Sequence, residues 1–143
     1  QRMRAAGNPY FKFISAQDQA SVGGTVEFGQ GIRLSTSTGQ QDGIYFRSVN
    51  GGNWFLVCRA SSTETAVDMG VAPSATVVSL ELRISSGNSV QGYVNGTSTG
   101  AAITTNIPTA LAYPMVWVDN RAATITTAGK LWLLGWGWLI NER

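Results

Sequence analysis

The chain has 143 residues, a formal net charge of +2 and no histidine, and only 13% of its residues are charged. Its ten Lys and Arg residues are scattered singly, so the sequence lacks the basic stripe of a nucleic-acid-binding protein and predicts no such partner. A chain of this length is about one domain and can form its own core. We expect residues 1–9 to form an arm or linker and residues 10–143 to form a single domain.

Apolar and polar residues alternate along many short segments, which is the pattern of strands with one buried face and one wet face. The predicted strands, in chain order, are Tyr10–Ile14, Thr25–Phe28, Ile32–Ser35, Gly43–Ser48, Asn53–Ala60, Thr63–Met69, Val78–Ser85, Val90–Val94, Thr97–Thr105, Ala112–Asp119 and Lys130–Ile140. No segment shows sustained helical periodicity. The pattern therefore predicts an all-β sandwich or barrel.

Turn residues separate these strands. Val49-Asn50-Gly51-Gly52 is a strong hairpin signal, and Asn95-Gly96 tolerates positive φ at both central residues of a second hairpin. The glycines at 29 and 31 lie between two short strands, so we expect a bulge or tight bend there.

The single cysteine, Cys58, lies in an apolar run and is expected to behave as a small buried hydrophobe. It cannot form an internal disulfide. The chain is therefore either made in a reducing compartment or stable without a bridge. Because the sequence begins with Gln1 rather than Met, we expect a processed or partial product.

The last predicted strand has two apolar faces. Trp132, Trp136 and Trp138 fall on one side, and leucines with two glycines fall on the other. The tryptophans could fill a core, so we expect one face to be core and the other to contact a neighbouring subunit, with the three tryptophans as candidate interface residues. The alternative is a central strand with loop cover. Its ten apolar residues are too few to cross a bilayer, so no membrane span is predicted.

Residues suited to catalysis are sparse. The absence of histidine excludes histidine-based nucleophilic and acid–base catalysis, and a lone cysteine is unreactive. Eight carboxylates could supply a glycosidase pair, but no acidic run typical of sandwich glycosidases is present. A carboxylate-pair glycosidase is therefore a distant alternative, and the sequence predicts that the protein is not an enzyme.

Metal and cofactor signals are equally weak. Asp42, Asp68 and Asp119 are isolated and typical of turns. The glycine pairs at 23–24 and 51–52 precede no predicted helix, so neither resembles a phosphate-binding loop. We therefore predict no metal and no cofactor.

Aromatic residues on an exposed sheet face would suit sugar stacking or protein contact. The candidates are Tyr45, Trp54, Tyr93 and Trp117, with Arg47, Arg59 and Asn53 as hydrogen-bonding neighbours. A core position is favoured for Trp54 and Trp117, whereas Tyr93 is expected on a wet face.

Several short segments, taken in order, resemble a known family. They are DGIYFR from Asp42, NWFLVC from Asn53, TAVDMGV from Thr65, LELRI from Leu80, SVQGYVNG from Ser89, TTNIPT from Thr104, PMVWV from Pro114 and AATIT from Ala122. Over residues 42–140, their order and spacing resemble the concanavalin-like jelly-roll domains of tailed-bacteriophage structural proteins. The resemblance implies an antiparallel two-sheet β-sandwich, with residues 1–41 holding a shortened N-terminal half. The Trp-rich ending departs from the family pattern.

The resemblance also implies a function. It points to a non-enzymatic virion protein, a capsid decoration, head-fibre or tail-fibre domain that binds neighbouring virion proteins after assembly in the host cytoplasm. A homo-oligomer such as a trimer is expected, and no catalytic residue or cofactor is carried over. The alternative is a lectin-like module that binds a cell-surface glycan through Trp54, Tyr93, Tyr45 and Arg47.

Overall fold

The computed structural model describes residues 10–17, 26–34, 41–86, 88–110, 113–120 and 131–139, and within these ranges the chain forms ten strands and no helix. The strands are β1 (Tyr10–Gln17), β2 (Val26–Arg33), β3 (Gly43–Val49), β4 (Phe55–Ala60), β5 (Thr63–Asp68), β6 (Val78–Ser85), β7 (Ser89–Val94), β8 (Thr97–Ile103), β9 (Tyr113–Asn120) and β10 (Leu131–Leu139). No helix that could cross a membrane occurs in these ranges.

The strands form two antiparallel five-stranded sheets. One, called the β6 sheet, has the order β10-β1-β6-β7-β8, and the other, called the β3 sheet, has the order β5-β4-β3-β2-β9. The predicted two-sheet β-sandwich is therefore confirmed. β1 pairs with β10, so Tyr10 lies opposite Leu139 in the register.

Two Asn-Gly turns close hairpins as the sequence predicts. Asn50 and Gly51 have φ of 54° and 71°, and Asn95 and Gly96 have φ of 49° and 83°. Each asparagine side chain also holds a third strand, since Asn50 Oδ1 accepts the Val26 N–H at 3.1 Å and Asn95 Oδ1 accepts a backbone N–H of β6 at 3.0 Å. The hairpin tips are thus fixed by side-chain bonds as well as by turn geometry.

β2 differs from the prediction. It is one continuous eight-residue strand that keeps its register with β3 and β9 through both glycines, so the expected bulge or bend is wrong. The glycines serve a packing need instead. A Cβ at Gly29 would collide with the Trp117 ring, and a Cβ at Gly31 would collide with the Tyr45 backbone.

The core lies between the two sheets. Its fully buried side chains come from both sheets and from the strand-connecting segments, and they include Phe11, Phe13, Phe28, Ile44, Phe46, Trp54, Leu56, Cys58, Leu80, Leu82 and Val90. Cys58 is a buried hydrophobe as predicted. Burial raises the pKa of its thiol to about 12, so the thiolate is not formed at neutral pH.

β10 lies at the edge of the β6 sheet, so the alternative of a central final strand is wrong. Its register shifts between Ile14 and Ser15 of β1. Because of that shift, Trp132 falls out of phase with Trp136 and Trp138, and the three do not follow the single alternation that the sequence suggests. Their side chains lie outside the described part of the structure, and the predicted subunit interface stays a prediction.

Candidate functional site

The β3 sheet turns one face away from the core. Ile44 and Phe46 of β3 point into the core. Tyr45 and Arg47 alternate with them along the strand and therefore lie on the opposite face. Strand pairing brings further residues into register on that face, which is called the outer face below. They include Glu27, Gly29, Arg33, Phe55, Arg59, Glu64, Ala66, Asp68, Trp117 and Asp119.

A network of ion pairs crosses the outer face. Arg47 donates two hydrogen bonds to Glu64, from Nη1 to Oε2 at 3.0 Å and from Nη2 to Oε1 at 2.7 Å. Arg59 approaches the same carboxylate at 3.8 Å and Asp42 at 3.6 Å. The hydrogen bond from Arg47 holds the pKa of Glu64 below its ordinary value. Glu64 is therefore ionised at neutral pH and able to accept hydrogen bonds.

The hairpin between β4 and β5 positions this network. Its turn residues, Ser61 and Ser62, have φ of 51° and 65°, a conformation that costs energy for residues other than glycine. Asp42 accepts both of their backbone N–H groups, at 2.7 and 3.2 Å. It thereby stabilises the turn that places Glu64 directly opposite Arg59.

Trp117 of β9 is held on the outer face by contacts on several sides. Its Nε1 donates to Glu27 Oε1 at 3.0 Å, and its ring packs against Gly29. The Arg33 guanidinium carbon lies 4.4 Å from the ring centroid, and Tyr45 meets the ring edge-on with centroids 5.2 Å apart. The indole is half-buried in a fixed orientation.

At one end of the outer face lies an open pocket of about 220 Å³, lined by Arg47, Val49, Gly52, Asn53, Phe55 and Ala66. Phe55 and Val49 are 37% and 40% exposed. Asn53 Nδ2 donates to both carboxylate oxygens of Asp68, at 3.0 and 3.1 Å. The pocket thus combines an apolar floor with a polar rim.

The structure unites some of the predicted contact residues and separates others. Tyr45 and Arg47 share the outer face. Trp117 joins them there, so the core position favoured for it is wrong. Trp54 is only 1% exposed and lies in the core, so its ring cannot contact a glycan or a partner. Tyr93 pairs with Glu81 on β6, in the other sheet, and does not contribute to the same surface.

The β6 sheet also turns a charged face outward. Glu81 is 3% exposed and forms ion pairs with Lys12 at 3.1 Å and Arg83 at 3.3 Å. Arg83 stacks on Tyr93 at 4.1 Å and on Tyr10 at 5.3 Å. Burial acts to raise the pKa of Glu81, but hydrogen bonds from Lys12, Tyr10 and Arg83 outweigh it, and the pKa lies below its ordinary value.

Sequence reasoning missed Arg33, Phe55 and Glu64. The last could have been found by counting outward from the Ser61-Ser62 turn, which places Glu64 opposite Arg59. Within the described ranges, no group of three or more His, Cys, Asp or Glu residues is arranged to hold a metal ion.

No family model matches this sequence. No curated protein matches it either. The structure, however, is similar to solved structures of a galectin and of several alginate lyases. Sheep galectin-11 in complex with glycerol aligns at a TM-score of 0.56 and 14% identity over 97% of this chain and 95% of that one. An alginate lyase from Pseudomonas aeruginosa aligns at a TM-score of 0.68 and 13% identity over 97% and 68%.

Alginate lyase A1-II′, of polysaccharide lyase family 7, aligns at a TM-score of 0.66 and 10% identity over 100% of this chain and 66% of that one. This chain thus spans about two thirds of the length of these lyases. At identities this low, the structural alignments establish a shared jelly-roll β-sandwich fold and nothing more specific.

Two predictions change with these comparisons. The prediction that the chain is not an enzyme is contradicted, because structures with this fold include several alginate lyases. The virion role finds no support among these neighbours, whereas the glycan-binding alternative agrees with them.

Proposed function

We propose that this protein binds a neutral glycan on the outer face of the β3 sheet. The observation that carries the proposal is the bidentate pair of Arg47 and Glu64, at 2.7 and 3.0 Å. It fixes a strong donor and a strong acceptor side by side on a partly exposed surface. Sugar hydroxyls both donate and accept hydrogen bonds, so such a pair matches two neighbouring hydroxyls of one pyranose ring.

The balance of charge on the outer face favours a neutral ligand. Its arginines, at positions 33, 47 and 59, are offset by Glu27, Glu64, Asp68 and Asp119. An acidic polysaccharide would need an excess of positive charge, which the described residues of this face do not provide. The paired charges instead serve as fixed hydrogen-bonding groups with little net field.

Aromatic rings beside the ion pair would provide apolar contact. Trp117 is half-buried and held in place by Glu27 and Arg33, and Phe55 is 37% exposed next to Arg47. Sites for small ligands combine such apolar surfaces with a few placed polar groups. The C–H groups of a pyranose ring are the part of a sugar that such a ring contacts.

The comparisons support a carbohydrate ligand. Galectin-11 was solved with glycerol, a polyol, and alginate lyase A1-II′ was solved in complex with its substrate. Both share the jelly-roll fold of this chain.

The test is isothermal calorimetry with cellotriose, maltotriose, triacetylchitotriose and lactose, with alginate trisaccharide as the acidic comparison. At least one neutral sugar should bind, and alginate should not bind more tightly. Arg47→Lys keeps the charge but removes the bidentate geometry, and we expect it to weaken binding about tenfold or more. Arg83→Lys on the other sheet is the matched control and should leave the affinity unchanged.

The proposal fails if none of the neutral sugars binds at millimolar concentration. It also fails if the two lysine variants reduce the affinity equally, because binding would then not depend on the outer face.

A second candidate function is lyase activity on an acidic polysaccharide, which the similarity to alginate lyases favours. Tyr45 lies between the arginines of the outer face and carries a hydroxyl group, but it is only 2% exposed, and burial raises its pKa. Alginate incubated with the protein should then gain the ultraviolet absorbance of a new carbon–carbon double bond, and Tyr45→Phe should prevent the gain. Unchanged alginate would contradict this candidate.

A further inference from the structure

The pocket at the end of the outer face has more specific chemistry than a sugar-binding surface requires. Its floor is apolar and accessible, formed by Val49, Phe55 and Ala66. A hexose ring offers such a floor only its C–H groups. A methyl group gains from being removed from water there, by about 25 cal/mol for each Å² of apolar surface buried.

The rim of the pocket offers one donor and one acceptor. Arg47 donates hydrogen bonds to Glu64 from two of its N–H groups. A guanidinium has about five N–H groups in total, so others can donate to a ligand. Asn53 commits its Nδ2 to Asp68, so its Oδ1 is the atom left to accept a hydrogen bond. A ligand group that matches this rim carries a carbonyl oxygen and an N–H beside its methyl group.

We infer that this pocket is a subsite for the acetamido group of an N-acetylated sugar, an inference that rests on the proposed glycan-binding function. The methyl group packs on Phe55 and Ala66, the amide N–H donates to Asn53 Oδ1, and the amide oxygen accepts from Arg47. All three parts of an acetamido group find a complementary partner among the six lining residues.

The size of the pocket agrees with this assignment. At about 220 Å³ it is smaller than the roughly 300–1,000 Å³ of sites for drug-sized ligands. It accommodates one substituent with part of its ring rather than a segment of polymer. The remaining sugars would extend along the outer face towards Glu64 and Trp117.

Two trisaccharides test the inference by calorimetry. Triacetylchitotriose and cellotriose have the same β-1,4-linked backbone and differ only at C2, which carries an acetamido group in one and a hydroxyl in the other. We expect triacetylchitotriose to bind about tenfold more tightly or better. Ala66→Leu fills the pocket from an exposed position of β5, and it should abolish the difference. Ala102→Leu, at an exposed position of β8, is the matched control and should preserve the difference.

The outcomes separate this inference from the proposed function. Equal affinities for the two trisaccharides, or binding of only another neutral sugar, would overturn the subsite and leave the glycan-binding function standing. A preference that survives Ala66→Leu would overturn the assignment to this pocket. If no neutral sugar binds at all, both the function and the subsite are overturned.

Discussion

The two sheets each turn a face carrying arginine, glutamate and tyrosine away from the core, yet the two faces are built differently. On the β3 sheet the Glu64 side chain is 27% exposed and shares its charge with Arg47 and Arg59. On the β6 sheet the Glu81 side chain is 4% exposed and is enclosed by Lys12 and Arg83. A cluster of charges does not by itself indicate a site. What distinguishes Glu64 from Glu81 is that its carboxylate remains partly exposed and within reach of a ligand.

The aromatic rings differ in the same way. The guanidinium of Arg83 lies over the rings of Tyr10 and Tyr93, whereas the Phe55 ring contributes exposed surface to a pocket. Trp117 can lie against the sheet because Gly29 beneath it lacks a side chain. On the β6 sheet the aromatic rings are therefore covered by a neighbouring side chain. On the outer face of the β3 sheet, Phe55 remains exposed to a ligand.

The largest effect on stability is expected from the glycine beneath Trp117. Gly29→Ala would force the indole out of its position, and overpacking of this kind costs about 2–3 kcal/mol. Gly137→Ala on the β6 sheet is the control, because a Cβ there meets no described atom within 4 Å. Urea unfolding measures both variants. Equal stabilities would contradict the packing role assigned to Gly29.

A smaller loss is expected from neutralising the enclosed carboxylate. Glu81→Gln removes the charge that Lys12 and Arg83 surround, and loss of charged hydrogen bonds of this kind costs about 1.5–3 kcal/mol. Because Lys12 and Arg83 stay partly exposed, we expect the lower end of this range. Glu64→Gln should cost less in stability but more in glycan affinity. The comparison of the two faces would be wrong if Glu81→Gln reduced glycan affinity more than Glu64→Gln did.

The smallest effect is a dependence on pH. The pKa of Glu64 is lowered in the folded state, so its contribution to stability is fully present above its unfolded pKa of about 4.3 and is lost as the pH falls through the folded pKa. The unfolding free energies of the wild type and Glu64→Gln should therefore differ by a constant amount between pH 6 and 8. They should converge below about pH 4. A difference that does not narrow as the pH falls below about 4 would show that Glu64 acts through something other than its charge.

The fold could be predicted from the sequence because its determinants are local. Alternation along β6 and positive φ at Asn95 and Gly96 depend on residues adjacent in the chain. The continuity of β2 could not be predicted. Gly29 looks like a strand breaker until Trp117, which lies far along the chain, is seen to occupy the space above it.

The site was only partly predictable for the same reason. The pairing of Arg59 with Glu64 follows from counting across one hairpin. The bond from Arg47 to Glu64 joins β3 to β5 across β4, so it requires the strand order and the tilt of long side chains. The core position favoured for Trp54 is confirmed, because Trp54 shares the phase of Leu56 and Cys58 and lies in the core with them. Sequence patterns thus locate residues on a face but do not show which of them meet.

The pairing of Tyr10 with Leu139 has a consequence for how the domain can be joined to other polypeptides. Since β1 and β10 run antiparallel, the first described strand begins beside the end of the last described strand. Such an arrangement suits grafting into a surface loop of a host protein, or circular permutation, with little distortion of either partner. Both strands belong to the β6 sheet. A carrier protein attached there would therefore leave the outer face of the β3 sheet exposed on the opposite side of the sandwich.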